Sequence, residues 1–398
     1  MDIKRISRSL TAGALSLIVA AGSSYGALAT VADDEYAVSQ ETLDAMTEDY
    51  YTIEPIDTGL LSFSDYYDLF SGENRPDKAV EIGGTSYTSV SGGDFSTGSY
   101  GPEGDSRDDV LLWESSEGTV TYEFDIEETG IYCINMTYCP MMSNSSDIEL
   151  SMMIDGELPY DTASRITLSR VWVNEQDIYT DSRGNQVRPS QVQQVMWCSS
   201  DFGDTDGLFS APLFFLLEEG SHEVTFSSER AQFAIESFKF YNPEALPAYS
   251  EYAASVGTVV TKDSTPSNIF RIEGEDAVYK SDSTLYPTYD NTNYLVSPSD
   301  PRKVVYNTLG SGNWKKALQS VTWTISHDDI GSSGWYKIGI KSRQDQMRGF
   351  YSNRRIYIDG EVLCEELDQV KFYYDTDWNV VSPKSGGDYV YVYLDADR

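Results

Sequence analysis

Two arginines, a glutamine and a tryptophan in the C-terminal third have the types and spacing to hold a hydroxylated ligand. Arg343, Gln344 and Arg348 follow the alternating run Tyr336-Lys-Ile-Gly-Ile340, and Trp314 follows Gly312-Asn313 in a loop. An indole face stacks on the apolar face of a sugar ring, while guanidinium and amide groups donate in-plane hydrogen bonds to hydroxyls. Arg170 and Trp172 make a similar pair in the N-terminal half, with Arg165, Arg183 and Arg188 nearby. A second role fits the same arginines: they neutralise an over-acidic chain, or tie loops and domains together. Carboxylates suggest one cofactor, calcium. Glu273 and Glu275, read as part of a first strand, suit calcium in a β-sandwich or an edge-strand charge pair. Asp201-Phe-Gly-Asp204-Thr-Asp206-Gly207 looks like half a calcium loop but lacks the glutamate that completes one; Ala211 and Pro212 stand nearby.

Catalytic chemistry has less to work with. The chain holds 2 histidines, His222 in an expected hairpin turn and His327 in a polar loop. There is no phosphate loop, His-Glu-x-x-His or Cys-x-x-Cys. Carboxylate pairs are too numerous for an acid/base pair to be singled out. The expectation is therefore binding rather than catalysis. With 28 basic against 64 acidic residues the net charge is −36, which repels nucleic acid, anionic membranes and polyanions. Among the 4 cysteines, Cys133 and Cys139 lie six apart on one expected strand. That puts them roughly 20 Å apart, too far for a disulfide. A Cys139–Cys198 bridge stays open and Cys364 has no evident partner, so free thiols are expected.

These residues sit on an internal repeat. Val120-Thr-Tyr-Glu-Phe-Asp-Ile126 aligns with Val321-Thr-Trp-Thr-Ile325, and Gly130–Met136 aligns with Gly334–Ile340. Met152-Met-Ile-Asp-Gly-Glu-Leu158 aligns with Ile356-Tyr-Ile-Asp-Gly-Glu-Val362, and the offsets are 201, 204 and 204. Trp172 and Trp378 follow at 206. Apolar and polar residues alternate in each run, as in half-buried strands, and Asp-Gly marks a hairpin turn. Each unit is preceded by a Tyr-rich stretch, Phe63–Leu69 and Tyr249–Tyr252, expected to form short helices. Thr42–Tyr50 has the best helical period. The fold class is all-β, two tandem β-sandwiches with short helical linkers. Residues 1–32 read as a signal peptide, with Lys4, Arg5 and Arg8 before an apolar run and Ala27-Leu28-Ala29 as a cleavage site. An uncleaved anchor is the alternative. Residues 33–78 read as an acidic linker, 79–242 as the first sandwich, 243–268 as a linker and 269–398 as the second sandwich. Unit one ends in three closing strands, around Leu213–Leu217, Glu223–Phe226 and Ile235–Phe240. Unit two matches the first of them with Tyr389–Leu394. It is expected to lack its last strands, and the chain to be part of a longer, exported protein.

The motifs resemble a known family. Ser164-Arg-Ile-Thr-Leu-Ser-Arg-Val-Trp172, Arg183-Gly-Asn-Gln-Val-Arg-Pro-Ser-Gln-Val192, Ile272-Glu-Gly-Glu-Asp-Ala277, Thr284-Leu-Tyr-Pro287, Asn307-Thr-Leu-Gly310, Asn313-Trp314 and Arg354-Arg-Ile-Tyr-Ile-Asp-Gly-Glu361 carry it. Together they resemble the N-terminal tandem galactose-binding-like region of large extracellular solute-binding proteins of bacterial ABC sugar importers. The resemblance implies two jelly-roll sandwiches, an extracellular place at the cell surface, a sugar-related function and no catalysis. It implies an oligo- or polysaccharide as partner, together with solute-binding lobes and importer membrane subunits. The lobes are missing here, and no cysteine before Cys133 offers a lipid attachment site. The resemblance carries over no binding residue. Two other readings stand beside it: structural spacer or docking sandwiches, and the accessory binding region of a secreted polysaccharide-degrading enzyme.

Overall fold

The computed structural model describes residues 59–143, 147–257, 259, 269–291 and 293–396. The expected signal peptide, the stretch Thr42–Tyr50 and most of 258–268 lie outside the described residues.

Alternating sequence becomes alternating burial in unit one. Its strands are β1 (Val80–Gly83), β2 (Ser89–Ser91), β3 (Phe95–Tyr100), β4 (Arg107–Trp113), β5 (Gly118–Ile126), β6 (Gly130–Pro140), β7 (Asp147–Ile154) and β8 (Ile166–Ser169). They continue with β9 (Val171–Asn174), β10 (Tyr179–Thr180), β11 (Gln186–Val187), β12 (Gln191–Gln194), β13 (Cys198–Asp201), β14 (Phe214–Leu217), β15 (Gly220–Arg230) and β16 (Phe233–Tyr241). One antiparallel sheet runs β13-β6-β16-β4-β3, with β1 also on β16 and β14 on β6; the other runs β2-β5-β15-β7-β8. Inward faces of the two sheets meet ring on ring: Phe124 stacks on Phe240 at 4.4 Å and Tyr122 meets Phe238 edge-on at 5.0 Å. Strands β15 and β16 are central, each flanked on both sides.

Unit two contains β17 (Tyr279–Lys280), β18 (Pro287–Thr288), β19 (Thr308–Leu309), β20 (Val321–Thr322), β21 (Gly334–Lys337) and β22 (Ile340–Ser342). It continues with β23 (Tyr351–Arg354), β24 (Val370–Tyr373), β25 (Asn379–Val381), β26 (Lys384–Ser385), β27 (Asp388–Tyr389) and β28 (Tyr391–Leu394). Its ladders β18-β19, β21-β28, β22-β25, β23-β24 and β26-β27 stay two-stranded. Among the described residues no strand fills the places that β15 and β16 hold in unit one, and an open cleft of about 3270 Å³ is lined by residues of unit two and by unit-one residues such as Asp201, Asp204 and Tyr241.

The repeat is visible in three dimensions. Strands β23 and β24 sit 204 positions after β7 and β8 and keep their register: Asp147 faces Ser169, and Tyr351 faces Tyr373. Both Asp-Gly turns have two positive φ angles, 52° and 80° at Asp155-Gly156, 51° and 87° at Asp359-Gly360, the geometry for which Asp-Gly is suited. The Tyr-rich stretches are helices, Phe63–Phe70 and Tyr249–Val256. Neither is a free linker. The Tyr66 hydroxyl accepts from the Leu216 amide at 2.8 Å, and the Tyr252 hydroxyl accepts from the Tyr393 amide at 3.0 Å. Each helix thus satisfies an N–H of the strand it covers, β14 or β28.

A four-stranded sheet, β12-β9-β17-β20, joins the two units. The expectation of sandwiches separated by a linker did not include it.

Candidate functional site

The cleft in unit two brings together Trp314, Arg343 and Gln344. Trp314 follows a short 3-10 turn, Ser311–Asn313, and is half-buried. Its indole Nε1 is buried without a hydrogen-bond partner. Arg354 lies over the ring, with its guanidinium carbon 5.0 Å from the centroid. The repeat gives these positions meaning. Trp314 stands 201 positions after Trp113, which is fully buried and donates to the Glu117 carbonyl at 3.1 Å. Arg354 and Ser352 stand where unit one buries Leu150 and Ile148. A wall that is apolar core in unit one is therefore aromatic and polar in unit two. Burial holds Arg354 below the usual arginine value. Among the described residues no carboxylate pairs with it. Its Nη1 donates to the Asn353 carbonyl at 2.9 Å.

A second indole–guanidinium pair lines the same cleft. Arg343 lies 5.5 Å from the Trp378 ring centroid. Its Nη1 donates to Asp290 Oδ2 at 3.0 Å, and Trp378 Nε1 donates to the same oxygen at 3.1 Å. Asp345 approaches Arg343 Nε at 3.3 Å. Gln344 uses its side-chain oxygen to accept from the Gln346 amide at 2.9 Å. Arg348 is exposed and does not line the cleft. Asp290 belongs to the site and was not singled out from sequence, whereas Arg354 belongs to the basic cluster that follows Arg348. Trp378 had a signal, its alignment with Trp172.

Arg170 and Trp172 are each held by contacts outside the Trp314–Arg354 pair. Arg170 is 0% exposed, and its guanidinium donates to the carbonyls of Met141 at 2.5 Å, Gln232 at 3.3 Å and Ala231 at 2.7 Å. Trp172, on β9, pairs with Gln193 on one side and Lys280 on the other. It stands in the junction between the units. There the Lys280 ammonium, 2% exposed by residue, donates to Asn174 Oδ1 at 2.8 Å and Gln191 Oε1 at 3.0 Å. Burial pulls its pKa down to about 8. The Arg183–Val192 motif serves the same junction. The Gln186 amide donates to the Val304 carbonyl, the Gln186 side chain accepts from the Tyr306 amide, and Arg188 lies 3.9 Å over the Tyr286 ring.

The carboxylates expected to suit calcium are placed differently from the sequence reading. Glu273 and Glu275 are not on a strand; Glu273 precedes and Glu275 lies within a 3-10 turn, Gly274–Asp276. Glu275 is buried, its Oε2 has no partner, and burial raises its pKa to about 7. Asp204 accepts the amides of Asp206, Leu208 and Phe209 at 2.7–3.0 Å. Among the described residues no three His, Cys, Asp or Glu side chains are grouped to hold a metal ion. His222 is on β15, not in the turn, and bonds Asp155. All 4 cysteines are free, and burial pushes their thiols up, Cys139 to about 12.

No family model and no curated protein matches the chain. Solved structures do. The C-terminal CBM6 of LamC, a marine laminarinase from Zobellia galactanivorans, is 10% identical over 42% of this chain and 100% of its own, with a TM-score of 0.24. A family 35 carbohydrate-binding module from Clostridium thermocellum is 10% identical over 42% of this chain and 99% of its own, with the same TM-score, 0.24. A Podospora anserina GH26-CBM35 β-(1,4)-mannanase is 12% identical over 46% of this chain and 35% of its own, again at 0.24. At these TM-scores the likeness decides neither fold nor function.

Proposed function

We propose that the chain is a non-catalytic carbohydrate-binding region, accessory to a secreted polysaccharide-degrading enzyme. One observation carries the binding: Arg354, without a carboxylate partner among the described residues, lies over the half-buried Trp314 on a cleft wall where the repeat has core leucine. A closed core gains nothing from a desolvated guanidinium at that position. A sugar ring supplies what the pair lacks: an apolar face for the indole and hydroxyls for the guanidinium. Charge-assisted bonds of about 1.5–3 kcal/mol each set weak binding, on the order of micromolar to millimolar. The importer receptor is the competing setting, and the coding sequence beside this one separates the two.

The test is calorimetry of the full chain with a panel of neutral oligosaccharides. Arg354→Leu, which installs the residue of unit one, and Trp314→Ala are each expected to weaken binding about tenfold or more, with Arg354→Leu leaving the melting temperature unchanged or higher. Unchanged affinity in both variants, or no binding by the native chain, would sink the proposal.

A further inference from the structure

The hairpin β23–β24 has two faces, and the outer one is unlike its counterpart in unit one. Tyr351 and Tyr373 stand directly opposite each other in the register, 46% and 66% exposed. Their ring centroids are 5.5 Å apart and the planes are inclined at 58°. On the same face Asn353 faces Lys371, and the Lys371 ammonium lies 5.1 Å from the Tyr351 centroid. Phe350, just before the strand, is 60% exposed.

The fold does not require these aromatics. At the same register positions unit one carries Asp147 opposite Ser169 and Glu149 opposite Thr167. That face is polar, and Glu149 is paired with Arg230 at 3.1 Å. One hairpin geometry therefore supports either face chemistry, and unit two presents two exposed phenol rings to water. Cross-strand tyrosines stabilise a hairpin modestly, which gives no reason for the amide and ammonium to stand beside them.

We propose that Tyr351, Tyr373, Asn353 and Lys371 form a second carbohydrate site for a neutral oligosaccharide chain, on the outer face of the hairpin, with Tyr351 and Asn353 at the rim of the cleft; it rests on the carbohydrate-binding reading of the cleft. The exposed rings offer apolar faces on which sugar units can stack. Asn353 and Lys371 supply donors to the hydroxyls at the rim. A chain of net charge −36 disfavours anionic glycans, so a neutral one is the occupant. The site lies on the opposite face of β23 from Arg354, so one glycan-bearing surface can engage the hairpin outside while the cleft holds a chain end, which raises overall avidity.

The experiment titrates the full chain with cellohexaose, laminarihexaose, xylohexaose and mannohexaose. Tyr351→Asp with Tyr373→Ser installs the residues of unit one, which this hairpin geometry accepts. The double variant is expected to lower the stoichiometry from two to one, leaving the remaining site unchanged, while Trp314→Ala removes the other site. Tyr351→Phe with Tyr373→Phe, which keeps both rings, is expected to hold affinity within about threefold. Hydroxyl-radical footprinting of the native chain is expected to show both tyrosines protected by the bound hexasaccharide. Stoichiometry of one that is lost in Trp314→Ala and unaffected in the double variant would overturn the proposal and leave the cleft reading standing. Unprotected tyrosines under saturating hexasaccharide would also overturn it. No binding of any hexasaccharide by the native chain would overturn both.

Discussion

Arg170 shows how far a residue type is from a role. Its proximity to Trp172 suits a sugar contact, yet its guanidinium is fully buried and holds three carbonyls. Two of those carbonyls, from Ala231 and Gln232, form the turn between β15 and β16; Gln232 has a φ of 68°. The planar fork of arginine fixes that turn to the Met141 loop, which no point charge reproduces. Arg170→Met removes these donors, leaving the Gln232 carbonyl only the Met141 amide, and is expected to cost roughly 3–5 kcal/mol. Arg170→Lys, which keeps charge but loses the fork, is expected to cost less. Urea unfolding measures both. Unchanged stability with lost oligosaccharide binding would return Arg170 to a ligand role. Sequence could not separate the roles, because the inward turn of a guanidinium depends on a carbonyl cage built from residues 29, 61 and 62 positions away. Arg343 is the converse case. Its place after a strand was legible, whereas its partner Asp290, 53 positions upstream, was not.

At the scale of elements, the connection from β14 to β15, which passes from one sheet to the other, carries a titratable lock. His222 Nδ1 is 2.7 Å from Asp155 Oδ2, and Nε2 is 2.8 Å from the Glu218 carbonyl. Two acceptors on one imidazole favour the doubly protonated ring. Burial pulls its pKa down, but the Glu218 carbonyl and the Asp155 carboxylate outweigh it, so the folded pKa is raised above 6.5. A raised folded pKa means the native state binds the proton more tightly. The stabilisation is then complete below about pH 6.5 and disappears as pH rises through the folded value. Thermal melts of native chain and His222→Gln are expected to differ most near pH 5.5 and to converge toward pH 9. A constant difference across that range would show that the ring acts by packing alone. Elements of this kind were partly legible. Alternation placed β5 and β6, and Asp-Gly placed both turns, because period and turn chemistry are local. The Glu273–Glu275 segment read as a strand, yet it forms a 3-10 turn beneath Trp323, whose indole donates to the Gly274 carbonyl. That contact is tertiary, and no local pattern announces it.

At the scale of the whole molecule, the two halves share a repeat and differ in closure. Unit one has β15 and β16 at the centre of its sheets, so each neighbour gains a ladder on that side and a face against the opposite sheet. The described ladders β21-β28, β22-β25 and β23-β24 of unit two have two strands each, and two-stranded ladders are marginal in water. The junction works against this weakness. Strand β17 is held by β9, and the Lys280 ammonium by Asn174 and Gln191. The β10–β11 segment meets Val304 and Tyr306 through Asn185 and Gln186. Unit one therefore acts as the rigid support from which the near side of the cleft is built. Hydrogen exchange on the full chain tests this gradient. Amides of β5, β6, β15 and β16 are expected to exchange only through global unfolding. Those of β21, β22 and β23 are expected to exchange faster by at least about a hundredfold, equivalent to some 2.8 kcal/mol of local stability. Asn185→Ala with Gln186→Ala is expected to speed exchange around Val304 and Tyr306 and in β17, while leaving β5 and β15 unchanged. Protection in β21–β23 equal to that in β5 and β6 would show that unit two is closed in solution. The cleft, and the site on its wall, would then have to be read as core.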